Sequence, residues 1–173
     1  MITNEMKEAI LYLSDKENYM VFAGFATYLQ TGIESSADID IYLKSKEDFD
    51  GMVEELVSQG WKKVKEGTDN THYWHACLEK NGSTLDLVYS KSTAEVCFPL
   101  KQKFERDGIE LYALSTELLF LEKLNQLSSI KRTEKKTERD REAVSILRKM
   151  LDLDKLRAIL PQLKDIYWRE GYL

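Results

Sequence analysis

The strongest constraint in the sequence is a strict alternation of acidic or aromatic residues with aliphatic residues over 38–43. A period of two residues is typical of a β-strand whose two faces differ, so the aliphatic side chains would fill a core. Asp38 and Asp40 would then project from the same face, about 7 Å apart along the strand. Two carboxylates at this spacing repel each other, yet they suit a divalent cation. A strand with an ordinary solvated face is the simpler interpretation of this pattern taken alone.

The residues up to about 113 mix strand and helix patterns. Their periodicity predicts helices over 4–13, 25–30 and 47–58, and strands over 19–23, 38–43, 61–65 and 109–112. The dipeptide Asn81-Gly82 predicts a hairpin between strands 72–79 and 83–90, because both residues readily adopt the positive φ of a tight turn.

Only helices are predicted after residue 113. They cover 116–127 with Ser115 as the N-cap, 140–150 after a charged link at 131–136, and 152–168, which Pro161 would bend or divide. We therefore predict an α/β (α+β) core with a mixed sheet over residues 1–113. A C-terminal helical region over 114–173 would pack on this core.

Composition narrows the classes of function. The 173-residue chain has a formal net charge of −5, which offers no electrostatic footprint for nonspecific nucleic-acid binding. No apolar run reaches the length of a membrane span and no leader pattern is present, so we expect a cytoplasmic protein with no membrane partner. Cys77 and Cys97 make no disulfide framework, and their spacing suits no metal site.

Two further features add to the acidic pair. Asp86 interrupts an otherwise apolar strand, where an Asp needs a partner or a function. If this strand neighbours the strand of Asp38, a third carboxylate joins the first two. Gly24 follows a buried strand and opens a helix, where backbone N–H groups and the helix dipole favour phosphate.

The order of these motifs resembles that of the nucleotidyltransferase superfamily with the DNA polymerase β-type fold. In that family a Gly-Gly or Gly-Ser dipeptide precedes a helix, and a D-x-D motif and a third Asp follow. Ala23-Gly24, Asp38-Ile39-Asp40 and Asp86 correspond to these motifs here. The wider pattern, over residues 19–150, is most similar to a minimal bacterial branch that includes abortive-infection toxin-like and lincosamide-type antibiotic nucleotidyltransferases.

The resemblance continues into the helical region. Toxin-like members carry a Lys on the first helix after the core and a basic-plus-Asp motif on the next, and Lys123 and Asp140 occupy those places. Helical spacing gives independent support, because Lys123 shares a face with Phe120 and Leu127. Asp140 likewise lies on an apolar stripe, so both charges would point inward. An ion pair between the two helices explains this placement and is compatible with a role of Lys123 at a phosphate.

The resemblance implies a Mg²⁺-dependent enzyme that transfers a nucleoside monophosphate from an NTP to an acceptor hydroxyl. The implied catalytic residues are Asp38, Asp40, Asp86, Lys123 and Asp140. Asp38, Asp40 and Asp86 would hold two Mg²⁺ ions, with Asp86 either binding the second ion or accepting the acceptor's proton. The implied nucleotide-binding residues are Ala23, Gly24, Phe25 and Lys123. The acceptor stays open among a small molecule such as an antibiotic, a tRNA and a protein, and a toxin-like role would add a cognate protein partner.

A non-catalytic binding or interaction module of the same fold is the alternative. Ala23 stands where the family usually has Gly, the bulky Phe25 adjoins the phosphate turn, and Glu34 stands where many relatives have Arg. The three acidic residues favour activity, because a decayed site would not be expected to keep them.

The histidines and tryptophans are weaker candidates. His72 and His75 are three residues apart in a predicted strand and so face opposite sides, which favours surface positions on the hairpin over a shared metal site. Trp61, Trp74 and Trp168 favour core or interface positions over stacking on a base.

Overall fold

The structure, a computed structural model, describes residues 2–34, 38–69, 73–128 and 133–169, with side chains as far as residue 163. Its helices are α1 Asn4–Ser14, α2 Ala23–Thr31, α3 Lys46–Ser58, α4 Lys91–Cys97, α5 Thr116–Leu127, α6 Glu134–Leu147 and α7 Leu153–Arg169. Its strands are β1 Tyr19–Phe22, β2 Asp38–Leu43, β3 Lys62–Asp69, β4 Tyr73–Lys80, β5 Ser83–Ser90, β6 Gln102–Arg106 and β7 Ile109–Ala113. A 3-10 turn at Phe98–Leu100 follows α4.

The seven strands form one mixed sheet in the order β3-β4-β5-β2-β1-β7-β6. β2 pairs with β5 and β1 pairs with β7 in parallel, and the other neighbours are antiparallel. The predicted α/β class with a mixed sheet is therefore confirmed. β2 lies at the centre of this order, so the side chains on its polar face have neighbouring strands on both sides.

The alternation of β2 appears directly in its burial. Ile39, Ile41 and Leu43 are almost fully buried, and the intervening residues are half-buried. Apolar residues of α1 and α3 belong to the same hydrophobic cluster as these strand residues. Burial of one strand face thus orients the opposite face, which carries Asp38 and Asp40.

The C-terminal helices share this core. Leu119 of α5, Leu147 of α6 and Ile159 of α7 belong to the same cluster as the strand residues. A division of the chain at 113/114 stays a prediction, because the buried residues on both sides of that position form one cluster. No helix within the described ranges is both long and apolar enough to cross a membrane.

Several predicted elements change at their ends. The charged link at 131–136 was predicted too long, because α6 begins at Glu134, where the Thr133 side chain caps it by accepting from the Lys136 N–H. Pro161 was predicted to bend or divide the last helix, and it does not divide it. α7 continues through it, and the turn around this residue is exposed, so water is able to satisfy the carbonyl that loses its donor. α4 and β6 were not predicted, because both are short and neither has a clear apolar period.

Ala23 is the residue at which β1 turns into α2. Its φ of 50° lies in the left-handed region, and this is why β1 ends at Phe22 rather than at the predicted residue 23. An L-residue with a Cβ is strained there, whereas glycine is not.

We expect Ala23→Gly to raise the free energy of unfolding by about 0.5–1 kcal/mol, the relief of strain less the entropy that glycine loses on folding. Urea denaturation measures this change. Ala158→Gly, at an exposed position inside α7, is the matched control and should lower stability by about 1 kcal/mol. Equal destabilisation by both variants would show that Ala23 carries no strain.

Candidate active site

The parallel pairing of β2 with β5 assembles the acidic face. Asp40 is the direct register partner of Asp86, and Asp38 precedes Asp40 by two residues on the same face. On its other side Asp40 is paired with Phe22 of β1. The predicted neighbourhood of the three acidic residues is therefore a consequence of strand register.

Asp40 lies in a strongly negative environment. Burial is the largest cause that raises the pKa of Asp40, which reaches about 7. The negative charges of Glu122, Asp86 and Asp38 also raise it, in that order, and Lys123 opposes them. The ionised form of Asp40 is thus destabilised in the protein alone, and positive charge brought to this face would stabilise it.

The turn that starts α2 forms the second part of the site. The N-cap residue Phe22 provides no side-chain acceptor for the first N–H groups of this helix. The Ala23 N–H donates instead to Glu122 Oε2 of α5, at 3.2 Å. A backbone donor at a helix N-terminus, which is favourable for phosphate, is therefore in contact with a carboxylate of the protein itself.

Lys123 and Asp140 form the third part. Their side chains are almost fully buried, and Lys123 Nζ lies 3.4 Å from Asp140 Oδ1. The prediction that both charges point inward from α5 and α6 is confirmed. Lys123 Nζ also donates to Gln126 Oε1 at 3.0 Å, and Gln126 Nε2 donates to Glu122 Oε1 at 2.8 Å. A chain of polar contacts thus connects the buried ion pair with the turn at Ala23.

These parts surround one cleft of about 230 Å³. Its lining residues come from α2, β2, α5, α6 and the segment after α2, and are Ala23, Gly24, Thr27, Ile33, Asp38, Asp40, Lys123, Gln126, Lys136, Arg139 and Asp140. Acidic residues of β2 therefore face basic residues of α5 and α6 across a small space. A triphosphate with its counter-cations needs both kinds of charge.

Phe25 and Glu34 do not line this cleft. The side chain of Phe25 is fully buried in the hydrophobic cluster beside Tyr28, so only its backbone is able to take part in the predicted nucleotide binding, and that role stays a prediction. The apolar period of α2 turns this side chain towards the core. Glu34 is exposed, and its backbone carbonyl accepts from Arg139 Nη2. Glu34 thus helps to orient a basic residue of the cleft.

Asp86 contacts His75, a contact that the sequence did not predict. His75 Nε2 lies 3.0 Å from Asp86 Oδ1, and both side chains are mostly buried. His75 lies on the hairpin and is partly exposed, and antiparallel pairing of β4 with β5 also brings it onto the acidic face, which the sequence did not predict. The neighbouring Cys77 stays a thiol at neutral pH, since burial, and next the charge of Asp86, raises its pKa to about 11.

The remaining candidates are placed as follows. Trp61 is buried in the core, and the half-buried Trp74 stacks on Tyr89, in agreement with the predicted core or interface positions. Cys77 and Cys97 are both free thiols. His72 and the side chain of Trp168 lie outside the described residues.

The donor chemistry of the acidic face fits a divalent cation in part. Carboxylate oxygens are preferred by Mg²⁺, which is commonly held by one or two carboxylates together with substrate phosphates. Asp38 and Asp40 supply such a pair, and the pKa of Asp40 is raised first by burial and then by the repulsion that a cation would relieve. Within the described ranges, however, no group of three or more His, Cys, Asp or Glu side chains is arranged to hold an ion. Asp86 is in contact with His75, and a metal site that uses all three carboxylates stays a prediction.

Solved structures with the same fold are nucleotidyltransferases. The antibiotic-resistance factor ANT(2'')-Ia superimposes with a TM-score of 0.63 at 16% sequence identity, over 96% of this chain and 93% of that chain. The chain therefore has the nucleotidyltransferase fold, and the resemblance found in the sequence is confirmed at the level of the fold.

Two further structures extend the comparison. ANT(2'')-Ia in complex with adenylyl-2''-tobramycin matches with a TM-score of 0.61 at 16% identity, over 94% of this chain and 97% of that chain. An antigenic nucleotidyltransferase-like protein from Paracoccidioides brasiliensis matches with a TM-score of 0.55 at 12% identity, over 95% and 86%. No protein-family model and no curated protein sequence matches the chain.

Sequence reasoning missed several polar residues of the site, among them His75, Glu122, Gln126 and Lys136. Glu122 immediately precedes Lys123, and a charge beside a predicted inward-facing lysine was an available signal. Lys136 and Arg139 lie in a basic segment that sequence alone does not distinguish from a solvated helix face. The contact of His75 depends on strand pairing, which no local pattern encodes.

We expect Asp40→Asn to stabilise the metal-free protein at pH 8 but not at pH 4. Between the ordinary pKa of 3.8 and the native value of about 7, the folded protein holds a proton that the unfolded chain has lost. Stability therefore falls as pH rises through this window in the parent, and less so in the variant. The difference above pH 7 should be on the order of 2–4 kcal/mol, measured by urea denaturation with a chelator present.

The control for this experiment is Glu54→Gln, an exposed carboxyl on α3. Its stability difference from the parent should change little between pH 4 and pH 8. A difference for Asp40→Asn that is equally independent of pH would contradict the raised pKa.

Asp140→Leu should destabilise the protein by about 3–5 kcal/mol, because it leaves the buried Lys123 ammonium without this carboxylate. The double variant Lys123→Met/Asp140→Leu should recover most of this loss, since it replaces both charges with apolar groups. Chemical denaturation of the single and double variants measures the coupling. Equal losses in both variants would mean that the two charges do not stabilise the fold as a pair.

Proposed function

We propose that the protein is a nucleotidyltransferase that moves a nucleoside monophosphate from an NTP to a hydroxyl of a small molecule. The observation that carries this proposal is the single cleft in which the paired acids of β2 face Lys123, Lys136 and Arg139, at the start of α2. The nucleotidyltransferase fold is consistent with it. A long nucleic acid is a less suitable acceptor, because the chain carries a net charge of −5.

The basic side of the cleft would bind the triphosphate. Lys123 would contribute a buried positive charge close to the α2 turn, and Asp140 would hold its ammonium in place. Lys136 and Arg139 would neutralise the outer phosphates. The backbone at Ala23 and Gly24 would donate to phosphate oxygens, as backbone N–H groups at a helix start do elsewhere.

The acidic side would carry the chemistry. The acceptor oxygen would form a bond with the α-phosphorus, the bond from this phosphorus to the bridging oxygen would break, and pyrophosphate would leave. Asp86 would take the proton of the acceptor hydroxyl, with its carboxylate oriented by His75. Asp38 and Asp40 would hold Mg²⁺, which supplies neutralisation of the charge that develops on the phosphates.

A small hydroxylated acceptor is supported by one comparison. ANT(2'')-Ia, which has the same fold, is known in complex with adenylyl-2''-tobramycin. By analogy, we propose that the acceptor of this chain is a hydroxyl of a small, polyhydroxylated compound. An NTP, Mg²⁺ and this acceptor are the partners that the proposal requires, and a cognate protein partner would belong to a toxin-like role.

Calorimetric titration with each Mg²⁺–NTP tests the nucleotide half of the proposal. We expect binding of at least one NTP in the parent, and a loss of about 100-fold or more in Asp38→Asn/Asp40→Asn, because this variant removes both proposed cation ligands. Glu54→Gln is the control, since its exposed position on α3 is outside the cleft. The protein is then incubated with Mg²⁺, the nucleotide that binds and each of a panel of aminoglycosides. Pyrophosphate release and the mass of the adduct are measured.

The variant Lys123→Met/Asp140→Leu, once unfolding measurements establish that it is folded, separates a structural role of the ion pair from a binding role. Loss of nucleotide binding in this folded variant would support the role of Lys123 at the triphosphate, and retained binding would oppose it. No heat with any NTP from the folded parent would overturn the proposal and favour a non-catalytic module of the same fold.

A further inference from the structure

We infer that Glu122 is an internal counter-anion of the α2 turn, which an incoming triphosphate must displace, so that this residue sets the nucleotide affinity. The inference rests on the proposed function. It concerns a residue to which neither the D-x-D motif nor the Lys123–Asp140 pair assigns a role.

The first step is the position of the carboxylate. Glu122 Oε2 accepts the Ala23 N–H at 3.2 Å, at the point where α2 begins without a side-chain cap from Phe22. The two residues are 99 positions apart in sequence, so the packing of α5 beside α2 makes the contact. A carboxylate and a phosphate oxygen bind a helix start in the same way, because both are anionic acceptors.

The second step is how the carboxylate is held. Gln126 Nε2 donates to Glu122 Oε1 at 2.8 Å, and Lys123 Nζ donates to Gln126 Oε1 at 3.0 Å. Glu122 is thus fixed at the turn from both oxygens, and its support leads to the buried cation proposed to bind phosphate. A triphosphate that binds both Lys123 and the turn competes with Glu122 for the Ala23 N–H and with Gln126 for the Lys123 ammonium.

The third step is charge. One backbone N–H is shared poorly between two anionic acceptors, and two anions in contact at a partly buried site repel each other strongly. The Glu122 carboxylate and a phosphate therefore cannot both lie at the Ala23 N–H. Glu122 also adds to the negative charge around Asp40, on the side where an entering nucleotide is already opposed by two aspartates.

The test is Glu122→Gln, which keeps the size of the side chain and an oxygen for the Ala23 N–H but removes the charge. Calorimetry is carried out with the best-binding Mg²⁺–NTP and with inorganic tripolyphosphate in the presence of Mg²⁺. We expect both to bind about tenfold more tightly to the variant than to the parent. Glu142→Gln, an exposed carboxyl of α6, makes the same change in net charge and should alter both affinities less than about twofold.

A second variant separates the charge from its support. Gln126→Leu keeps the Glu122 charge and removes the amide that holds it, so its affinities should lie between those of the parent and of Glu122→Gln. Circular dichroism and thermal unfolding establish that each variant is folded before its binding is compared.

The outcomes distinguish this inference from the proposed function. If the parent binds an NTP and Glu122→Gln binds it equally or more weakly, Glu122 is a permanent cap or a ligand of the nucleotide complex, and the inference is overturned while the proposed function stands. If only Glu122→Gln binds, both are supported. If neither protein binds any NTP, the proposed function fails, and the inference fails with it.

Discussion

The pairing of β2 with β5 imposes the electrostatic constraint on which the rest of the site depends. It sets the buried Asp40 opposite Asp86, while the alternation of β2 keeps Asp38 on the same face. Burial, and next the negative charges around it, destabilise the ionised form of Asp40, which is why its pKa rises to about 7. This face therefore requires compensating positive charge, and the fold supplies part of it by placing the basic side chains of α5 and α6 across the cleft.

Lys123 is the centre of that compensation. A buried ammonium is unfavourable unless several partners replace its water, and Asp140 and Gln126 do so here. The same ammonium partly offsets the rise in the pKa of Asp40 across the cleft. The helical region therefore affects the ionisation of the sheet's acidic residues as well as covering the core. The burial of this lysine has two consequences, since it links α5 to α6 and it supplies a desolvated positive charge to the cleft.

Much of the fold follows from local patterns, whereas the site follows only in outline. The alternation over 38–43, the Asn81-Gly82 turn and the inward-facing charge of Lys123 are each encoded within a few residues, so periodicity was sufficient to predict them. The contacts of His75 and Glu122 are not, because one depends on the pairing of β4 with β5 and the other on α5 packing beside α2. The burial of Phe25 has the same origin, since the sequence shows which residue follows the glycine but not which face of α2 meets the core.

The turn at Ala23 is held in its conformation by the rest of the fold. Ala23 adopts a positive φ that glycine would adopt without strain, so this residue does not itself favour the conformation of the turn. Other contacts of the fold must therefore hold the turn in place. Without such contacts the turn would be free to relax and to leave its N–H to water. Here the N–H meets a carboxylate that is held by an amide and, through it, by a buried lysine. The Glu122 carboxylate thus stabilises the turn, and a phosphate would have to bind the Ala23 N–H more strongly than this carboxylate does in order to replace it.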